Sequence, residues 1–467
     1  METPRERVHH TWLTSDRYIP SRFVRPTRQF MDTEAASGLV LFAAAVAALV
    51  WANSPWGASY FTFFDTHLSL QVGSFHLDET VKDLINDGLM AIFFFVVGLE
   101  IKRELVVGEL NEVRKAALPA MAAFGGMVVP ALIYVTIVVG TGSEGAHGWG
   151  VPMATDIAFS VGVVALLGSR ISSGAKLFLL ALAIVDDIGA IAVIAVFYTD
   201  ELHLGWLVLA GVALVVVWLA AKVRIRAMVV YVALAVVVWL AFLESGVHAT
   251  IAGVVLGLMT PVGALYSDVD FRRRATWILE RWDMNWRSPE AVDALDHDEL
   301  ELASVARESV SPLNRMEHHL HLWSSFMIIP VFALANAGVR FVDLDVLDAV
   351  FSPAALGVAV GLAVGKPIGI TLATWLALRL GLGRLPARTG FKHIIGLGML
   401  AGIGFTVSLF VAELAFGDEM LRDEAKIGIF VGSTIAGIAG YLVLRSMATA
   451  ERRLQEVGQS LGDGPDD

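Results

Sequence analysis

The sequence predicts an all-α polytopic membrane protein with twelve transmembrane helices. Hydrophobic residues make up 56% of its 467 residues and charged residues only 17%, a composition that excludes a large soluble enzyme. Twelve apolar segments follow one another, and a helix needs about 20 residues to cross a bilayer. The fourth and eleventh segments are interrupted by residues that disfavour a continuous helix, so we expect two broken, crossing helices there.

The apolar segments define the predicted organisation of the chain. They lie at 34–52, 84–101, 116–139, 151–168, 175–199, 203–221, 227–243, 247–262, 320–339, 353–378, 391–413 and 425–446. A membrane domain therefore covers 34–447, between an N-terminal tail at 1–33 and a C-terminal tail at 448–467. The chain contains no cysteine, which excludes disulfides and thiolate metal sites.

Lysine and arginine are distributed unequally between the two sides of the predicted membrane domain. When the N-terminus is placed in the cytoplasm, 29 of the 34 Lys and Arg residues fall on the cytoplasmic side. Cytoplasmic loops of membrane proteins carry such an excess of positive charge. We therefore predict that both tails are cytoplasmic.

Two stretches outside the apolar segments have patterns of their own. Residues 68–77 alternate apolar and polar side chains around Gly73 and Ser74, which predicts a short β-hairpin between the first two spans. The exposed edge of such a hairpin can pair with a second copy of the chain. The loop 263–316 is long and polar, and we expect either additional cytoplasmic helix or partial disorder there.

Two adjacent aspartates lie in the middle of the fifth apolar segment. Asp186 and Asp187 are the only charges away from the ends of the run KLFLLALAIVDDIGAIAVIAVFY. One carboxylate at membrane depth costs at least ~2.5 kcal/mol, so such residues mark functional sites by default. The simplest site is one for a cation or a proton, and a structural salt bridge is the alternative.

The interruptions of the fourth and eleventh segments also carry polar groups. Thr155 and Asp156 follow Pro152, and Gly402 and Gly404 precede a Phe-Thr pair. Thr and Asp side chains can satisfy backbone groups that a helix break leaves free. Paired breaks in two halves indicate a midplane site in a transporter built from inverted repeats, here segments three to five and ten to twelve. An Asp that caps a kinked helix and glycines for close packing are the alternatives.

Lys366 is the one lysine in the middle of a predicted span. A lone lysine at membrane depth needs a partner, and Asp186 is the natural one. Successive helix residues are about 100° apart, so Asp186 and Asp187 cannot both face one point. One can pair with Lys366 while the other faces an ion. Snorkelling of Lys366 to an interface is the alternative.

A cluster of titratable residues starts the ninth segment. The run RMEHHLHLW contains Glu317, His318, His319 and His321, and histidine titrates near neutral pH. We expect a titrating cluster there. His318 and His321 have a spacing that could hold a metal, and an ordinary interface segment is a further alternative.

The chain resembles the bacterial NhaA-type Na+/H+ antiporter family over about residues 33–447. The runs that carry the resemblance are IVDDIGAIAVIAVFYT, ATDIAFSVGVVALLGSR, LINDGLMAIFFFVVGLEIKREL, ESGVHATIAG, VFALANAGV, GKPIGI and GIGFTVSLFVAELAF. Inverted repeats with broken helices are typical of this family itself, so the two indications are not independent. The chain differs from the family in its longer N-terminal tail and its longer loop at 263–316.

The resemblance implies a role for each polar residue of the spans. Asp187 resembles the principal Na+ ligand, with Asp156 and Thr155 beside it at the break. Asp186 resembles the carboxylate that pairs with Lys366. Asp87 resembles an acidic residue of the ion route. The residues that resemble a cluster tied to pH activation are Glu100, Arg103, Glu104, Glu317, His318 and His321.

The resemblance also implies the activity and its setting. The implied activity is electrogenic, pH-activated antiport that extrudes Na+ or Li+ while protons enter, in the bacterial inner membrane, with no enzymatic reaction, cofactor or nucleic acid. A homodimer through the hairpin 68–77 is the implied assembly. Physical reasoning leaves a passive cation channel and an intramembrane aspartyl protease as alternatives. A channel needs an open acidic pore, whereas a protease needs two carboxylates that share a proton.

Overall fold

The computed structural model describes residues 34–72, 75–199, 202–223, 225, 227–285, 292–341, 345–386 and 389–462. The predicted tail 1–33 lies outside these residues. The helices are α1 (Glu34–Ala52), α2 (Gly57–Phe64), α3 (Val81–Val106), α4 (Val113–Gly140), α5 (Ile157–Leu167), α6 (Ser173–Phe197), α7 (Leu204–Lys222), α8 (Met228–Leu243), α9 (Thr250–Met259), α10 (Asp268–Asn285), α11 (Val292–Glu308), α12 (Pro312–Asn336), α13 (Val346–Val350), α14 (Pro353–Arg379), α15 (Phe391–Ala401), α16 (Phe405–Ala415) and α17 (Glu419–Gly462).

Each of the twelve predicted apolar segments falls on a helix. Within the described residues, eight helical stretches are long and apolar enough to cross a membrane, or up to ten if each of two bent pairs is one span. The bent pairs are α1 with α2, at 113°, and α15 with α16, at 48°. Helices α8 and α9 are apolar but shorter. The polytopic α-helical class is confirmed, whereas the count of twelve spans and the inverted repeats stay predictions.

Several helix ends differ from the predicted segments for local reasons. Helix α9 is shorter than the predicted eighth segment because a turn with Gly246 at φ +82° precedes it and Pro261 follows it. Helix α12 begins earlier than predicted, since Ser311 caps it by accepting a hydrogen bond from Asn314 N at 3.1 Å. Helix α17 continues to Gly462, so most of the predicted C-terminal tail extends the last helix.

Contacts divide the chain into two compact units. The first unit comprises the described parts of 1–66, 117–190 and 329–467. Glycines let its helices α4 and α14 approach closely, because a Cβ on Gly369 would lie only 2.1 Å from Gly125 O. The largest side chains that are fully buried in this unit are Tyr134, Phe332, Lys366 and Phe410.

The second unit comprises the described parts of 67–116 and 191–328. Its helices α3 and α9 pack through glycines in the same way. A Cβ on Gly98 would lie 2.7 Å from Val254 O, and one on Gly253 would lie 2.0 Å from Ala91 O. The spacing of Gly253 and Gly257 is the small-xxx-small pattern that is typical of membrane helix pairs.

The predicted β-hairpin between the first two spans is confirmed. Strands β1 (His67–Val72) and β2 (Phe75–Thr80) pair antiparallel, with Leu70 opposite Leu77. The turn at 73–74 lies outside the described residues. Thr80 then caps α3 by accepting a hydrogen bond from Asp83 N at 3.0 Å, which joins the hairpin directly to the second span.

In its described part, the loop 263–316 forms helices α10 and α11. Of the two expectations for this loop, these residues support additional helix. Ile278 and Val305 are buried in this helical pair at 1% and 2% exposure. Arg281 donates to Asp298 and, at 2.6 Å, to Glu301. This hydrogen bond from Arg281 lowers the pKa of Glu301 below its usual value. The acidic side chains of α11 therefore neutralise basic side chains of α10.

In the part of the chain that the structure describes, three spans contain a short π-helical turn. The turns cover Leu84–Leu89 in α3, Ser324–Ile328 in α12 and Gly361–Gly365 in α14. A π-turn adds one residue to a helical turn and is frequent at functional sites. Asp87 lies inside the first of them, and Lys366 directly follows the third. Both residues are among the polar residues that the sequence singled out.

Candidate functional site

The interruptions of the fourth and eleventh spans contact each other in the first unit. Residues 154–156 are extended between a 3-10 helix at Gly145–Met153 and α5. Asp156 N donates to Ile403 O at 2.7 Å, across the break between α15 and α16. Thr155 Oγ1 donates to Ala401 O at 2.8 Å. Each break therefore satisfies backbone groups that the other leaves free.

Two buried serines extend this cross-connection on either side of the breaks. Ser160 Oγ donates to Leu400 O at 2.8 Å, and Ser408 Oγ donates to Val151 O at 2.8 Å. Both serines have 0% exposure. Neither serine was among the predicted site residues, because a serine in a membrane helix usually bonds to its own helix.

Asp156 joins the two broken spans through both of its carboxylate oxygens. Its Oδ1 accepts a hydrogen bond from Phe159 N at 2.9 Å and so caps α5. Its Oδ2 accepts from Thr406 N at 3.1 Å and from Thr406 Oγ1 at 2.6 Å. Thr406 was missing from the predicted site. The sequence could have indicated Thr406 by its position in the first helical turn after the break of the eleventh span.

Lys366 lies in the core of the first unit at 0% exposure. Its Nζ lies 2.5 Å from Asp186 Oδ2 and also donates to the hydroxyl of Thr155. Thr155 in turn donates to a backbone carbonyl of the eleventh span. Lys366 therefore connects the fifth span to the break of the fourth. A lysine that snorkels to an interface is excluded by this burial.

The two adjacent aspartates of α6 are both buried, Asp186 at 2% exposure and Asp187 at 5%. Asp187 also interacts with the charge of Lys366, less strongly than Asp186 does. Within the described residues no donor hydrogen-bonds to Asp186 Oδ1. The site thus brings Thr155, Asp156, Asp186 and Lys366 together with Asp187. Three carboxylates and one ammonium lie in this buried region.

Asp87 belongs to the second unit and is half-buried there. Its carbonyl oxygen, within the π-turn, accepts a hydrogen bond from Trp239 Nε1 at 2.9 Å. The charges that act on Asp87 most strongly are those of Glu79 and Asp83. Asp87 therefore lies among acidic side chains near the start of α3.

The second unit also holds the residues predicted for pH activation. Arg103 donates to Glu317 and lies 3.6 Å from Glu104. Glu100 interacts with the charges of Glu317, Arg103 and Glu104. These contacts connect the C-terminal end of α3 to the start of α12.

The predicted histidines occupy the adjoining part of α12. His321 lies near Arg103 and His318, and the rings of His318 and His319 are 5.9 Å apart. In the part of the chain that the structure describes, no group of three or more His, Cys, Asp or Glu residues could hold a metal ion. The geometry therefore offers no support for a metal at His318 and His321.

The chain is similar over most of its length to a known protein family and to named proteins of several bacteria. The family model described as Na+/H+ antiporter 1 matches residues 28–444. A protein of Rhodopirellula baltica named Na(+)/H(+) antiporter NhaA is 47% identical to the chain, over 90% of the chain and 93% of that protein. A protein of the same name from Syntrophobacter fumaroxidans is 43% identical, over 90% of each.

A further relative from Anaeromyxobacter sp., again named Na(+)/H(+) antiporter NhaA, is 47% identical over 90% of the chain and 91% of its own length. The match to the family model begins before the first predicted apolar segment and ends within the last one. The chain belongs to the Na+/H+ antiporter 1 family.

Proposed function

We propose that the chain is a secondary antiporter that extrudes Na+ or Li+ from the bacterial cell in exchange for entering protons. The observation that carries the proposal is the contact between two interrupted spans at Asp156, beside the buried Lys366–Asp186 pair. A passive channel needs neither element. Membership of the antiporter family supports the same choice over an intramembrane protease.

The buried carboxylates provide the binding chemistry. Carboxylate, hydroxyl and carbonyl oxygens suit a hard cation such as Na+, and the same oxygens accept protons. We assign Na+ to Asp187 and Asp156, with Thr155 beside them. Because a proton and Na+ compete for these oxygens, the site carries one or the other as it faces each side of the membrane in turn.

We assign to Lys366 the coupling between proton binding and Na+ binding at Asp187. With a proton on Asp187, the ammonium of Lys366 pairs with Asp186. A cation at Asp187 repels that ammonium and weakens the pair. Asp186 Oδ1 is buried without a donor among the described residues, so it is an acceptor open to a cation or a proton. Electrogenic exchange, with more protons entering than Na+ leaving, is the stoichiometry that we propose.

Activation by pH is assigned to the cluster of the second unit. Glu317, Glu100 and His321 each interact with the guanidinium of Arg103, so protonation of these residues changes the balance of charge between α3 and α12. Asp87 is proposed as part of the ion route. The residues that we assign to pH activation are Glu100, Arg103, Glu104, Glu317, His318 and His321.

The proposed setting follows from the distribution of charge and from the hairpin. Both termini face the cytoplasm of a bacterial inner membrane, in accord with the excess of Lys and Arg in the predicted cytoplasmic loops. A second copy of the chain pairs through the hairpin 68–77, because within the described residues strands β1 and β2 form a two-stranded sheet whose edges can pair with another chain. The substrates are ions, and no cofactor is required.

Proteoliposomes with an acidic lumen and an internal pH dye test this proposal. NaCl, LiCl and KCl are added outside in turn, over a range of pH around neutrality. We expect Na+ and Li+ to make the lumen alkaline in the wild type, and Asp187→Asn to lose this response while the protein still folds. Asp348→Asn, which changes an exposed carboxylate of α13, is the matched control.

Two outcomes would reject parts of the proposal. A folded wild type that responds to no cation at any pH is not an antiporter of these ions. Full activity of Asp187→Asn would exclude Asp187 as an essential ligand. Electrogenicity is tested by clamping the membrane potential with K+ and valinomycin, which should accelerate the exchange if net charge moves.

A further inference from the structure

Helix α16 contacts the last helix, α17, at both of its ends. At its start, Ser433 Oγ accepts hydrogen bonds from Gly404 N at 3.2 Å and from Phe405 N at 3.3 Å. The side chain of Ser433 thus satisfies two of the N–H groups that begin α16, where Gly404 has no side chain to do so.

At its far end, α16 is tied to α17 by buried charges. Glu413 lies 2.8 Å from Lys426 Nζ and 3.3 Å from Arg422. The side chains of Glu413 and Lys426 are only 7% and 4% exposed. Asp423 completes the group at 3.7 Å from Lys426. None of these four residues was among the predicted site residues.

A buried ion pair of this kind needs a reason other than stability. The desolvation of two charges offsets most of their attraction, and apolar residues of similar volume often stabilise a protein as well or better. Between the contact at Ser433 and the contact at Glu413, helix α16 carries a residue of the candidate site. Thr406, in the first turn of α16, donates both of its hydrogen bonds to Asp156.

We propose that Glu413 is a positioning residue for the cation site. Its pairing with Lys426 and Arg422 on α17, together with the cap by Ser433, holds α16 so that Thr406 stays on Asp156. The inference rests on the proposed function, since it takes Asp156 as part of the cation site. Some residues do not touch a metal but orient the side chains that bind it. Removing such a residue typically lowers metal affinity by about 10- to 100-fold.

The test measures the Na+ dependence of transport for Glu413→Gln in proteoliposomes. We expect the apparent KM for Na+ to rise on the order of tenfold, with the maximal rate little changed. Lys426 keeps Asp423 as a neighbour in this variant, so the protein should still fold. The matched control is Glu419→Gln, which removes an exposed carboxylate at the start of α17.

A double-mutant cycle separates positioning from a general structural effect. If Glu413 acts through Thr406, the effects of Glu413→Gln and Thr406→Val on the KM should be less than additive in the double variant, because Val at position 406 keeps only the backbone hydrogen bond to Asp156. Ser433→Ala, which removes no charge, should raise the KM and be non-additive with Thr406→Val in the same way. It keeps the inference testable if Glu413→Gln does not fold.

The results that would overturn this inference differ from those that would reject the proposed function. A wild-type KM in both Glu413→Gln and Ser433→Ala overturns the inference and leaves the proposed function intact. So do effects that add in full to that of Thr406→Val. Wild-type vesicles without any Na+-driven proton movement would reject the proposed function, and this inference with it.

Discussion

Thr406 donates two hydrogen bonds to a single oxygen of Asp156, one from its backbone N–H at 3.1 Å and one from its hydroxyl at 2.6 Å. The other oxygen of Asp156 caps α5. One carboxylate therefore holds the starts of two half-helices, each from a different broken span. Both half-helices direct the positive ends of their dipoles toward it.

We predict that Thr406→Val weakens Na+ binding. Loss of the hydroxyl removes a charge-assisted hydrogen bond worth about 1.5–3 kcal/mol, which corresponds to an increase of roughly tenfold or more in the apparent KM for Na+. The Na+ dependence of transport in proteoliposomes measures the change.

The matched control for this prediction is Thr374→Val in α14. Thr374 has 0% exposure, and its hydroxyl has no hydrogen-bond partner among the described residues. Replacing such an unpaired group by a methyl should leave the KM unchanged and the protein at least as stable. An equal effect of both substitutions would contradict a specific role for Thr406.

Much of this site could be predicted from isolated charges in apolar runs. The cost of burying Lys366 and Asp186 required a partner for each, and the structure places them together. The breaks were equally visible, because Pro152 and the pair Gly402 and Gly404 disfavour a continuous helix. A residue that violates the local pattern is informative even without a known structure.

Other features depend on contacts that no local pattern contains. Thr406 and Ser433 are ordinary residues for a membrane helix, and their roles follow only from which backbone groups face them. In the loop 263–316 the acidic run of α11 was compatible with disorder. Arg281, from the preceding helix, neutralises it, and sequence alone could not establish that pairing.

We predict that Lys366→Ala destabilises the protein and shifts the pH profile of transport. Removal of one partner from a buried ion pair costs about 3–5 kcal/mol because the other charge is left without compensation. The combination with Asp186→Asn should recover part of the melting temperature. Thermal unfolding and the pH profile are measured together, and no change in either would contradict a coupled pair.

We predict that Gly369→Ala destabilises the first unit. The new Cβ would lie 2.1 Å from Gly125 O, a backbone atom that cannot move away without shifting α4. Overpacking of this kind typically costs about 1–3 kcal/mol. Gly205→Ala is the control, because a Cβ there has nothing within 4 Å. Equal melting temperatures of the two variants would mean that α4 and α14 are not in close contact.

We predict that the pairing of α10 with α11 weakens in acid. The hydrogen bond from Arg281 lowers the pKa of Glu301, so the charged form is favoured in the folded state. The stability that results is fully present above the usual value of 4.5 and is lost as the pH falls through the lowered pKa. Protection of the α11 amides against hydrogen exchange, corrected for the intrinsic rate at each pH, should therefore decline below that value.

The variant Glu301→Gln tests the origin of this decline. It should reduce protection of α11 already at neutral pH and make the remaining pH dependence shallower, since Asp298 still pairs with Arg281. Glu299→Gln changes an exposed carboxylate of the same helix and should behave like the wild type. If Glu301→Gln keeps the full decline in acid, another group is responsible and the ion pair does not hold the two helices together.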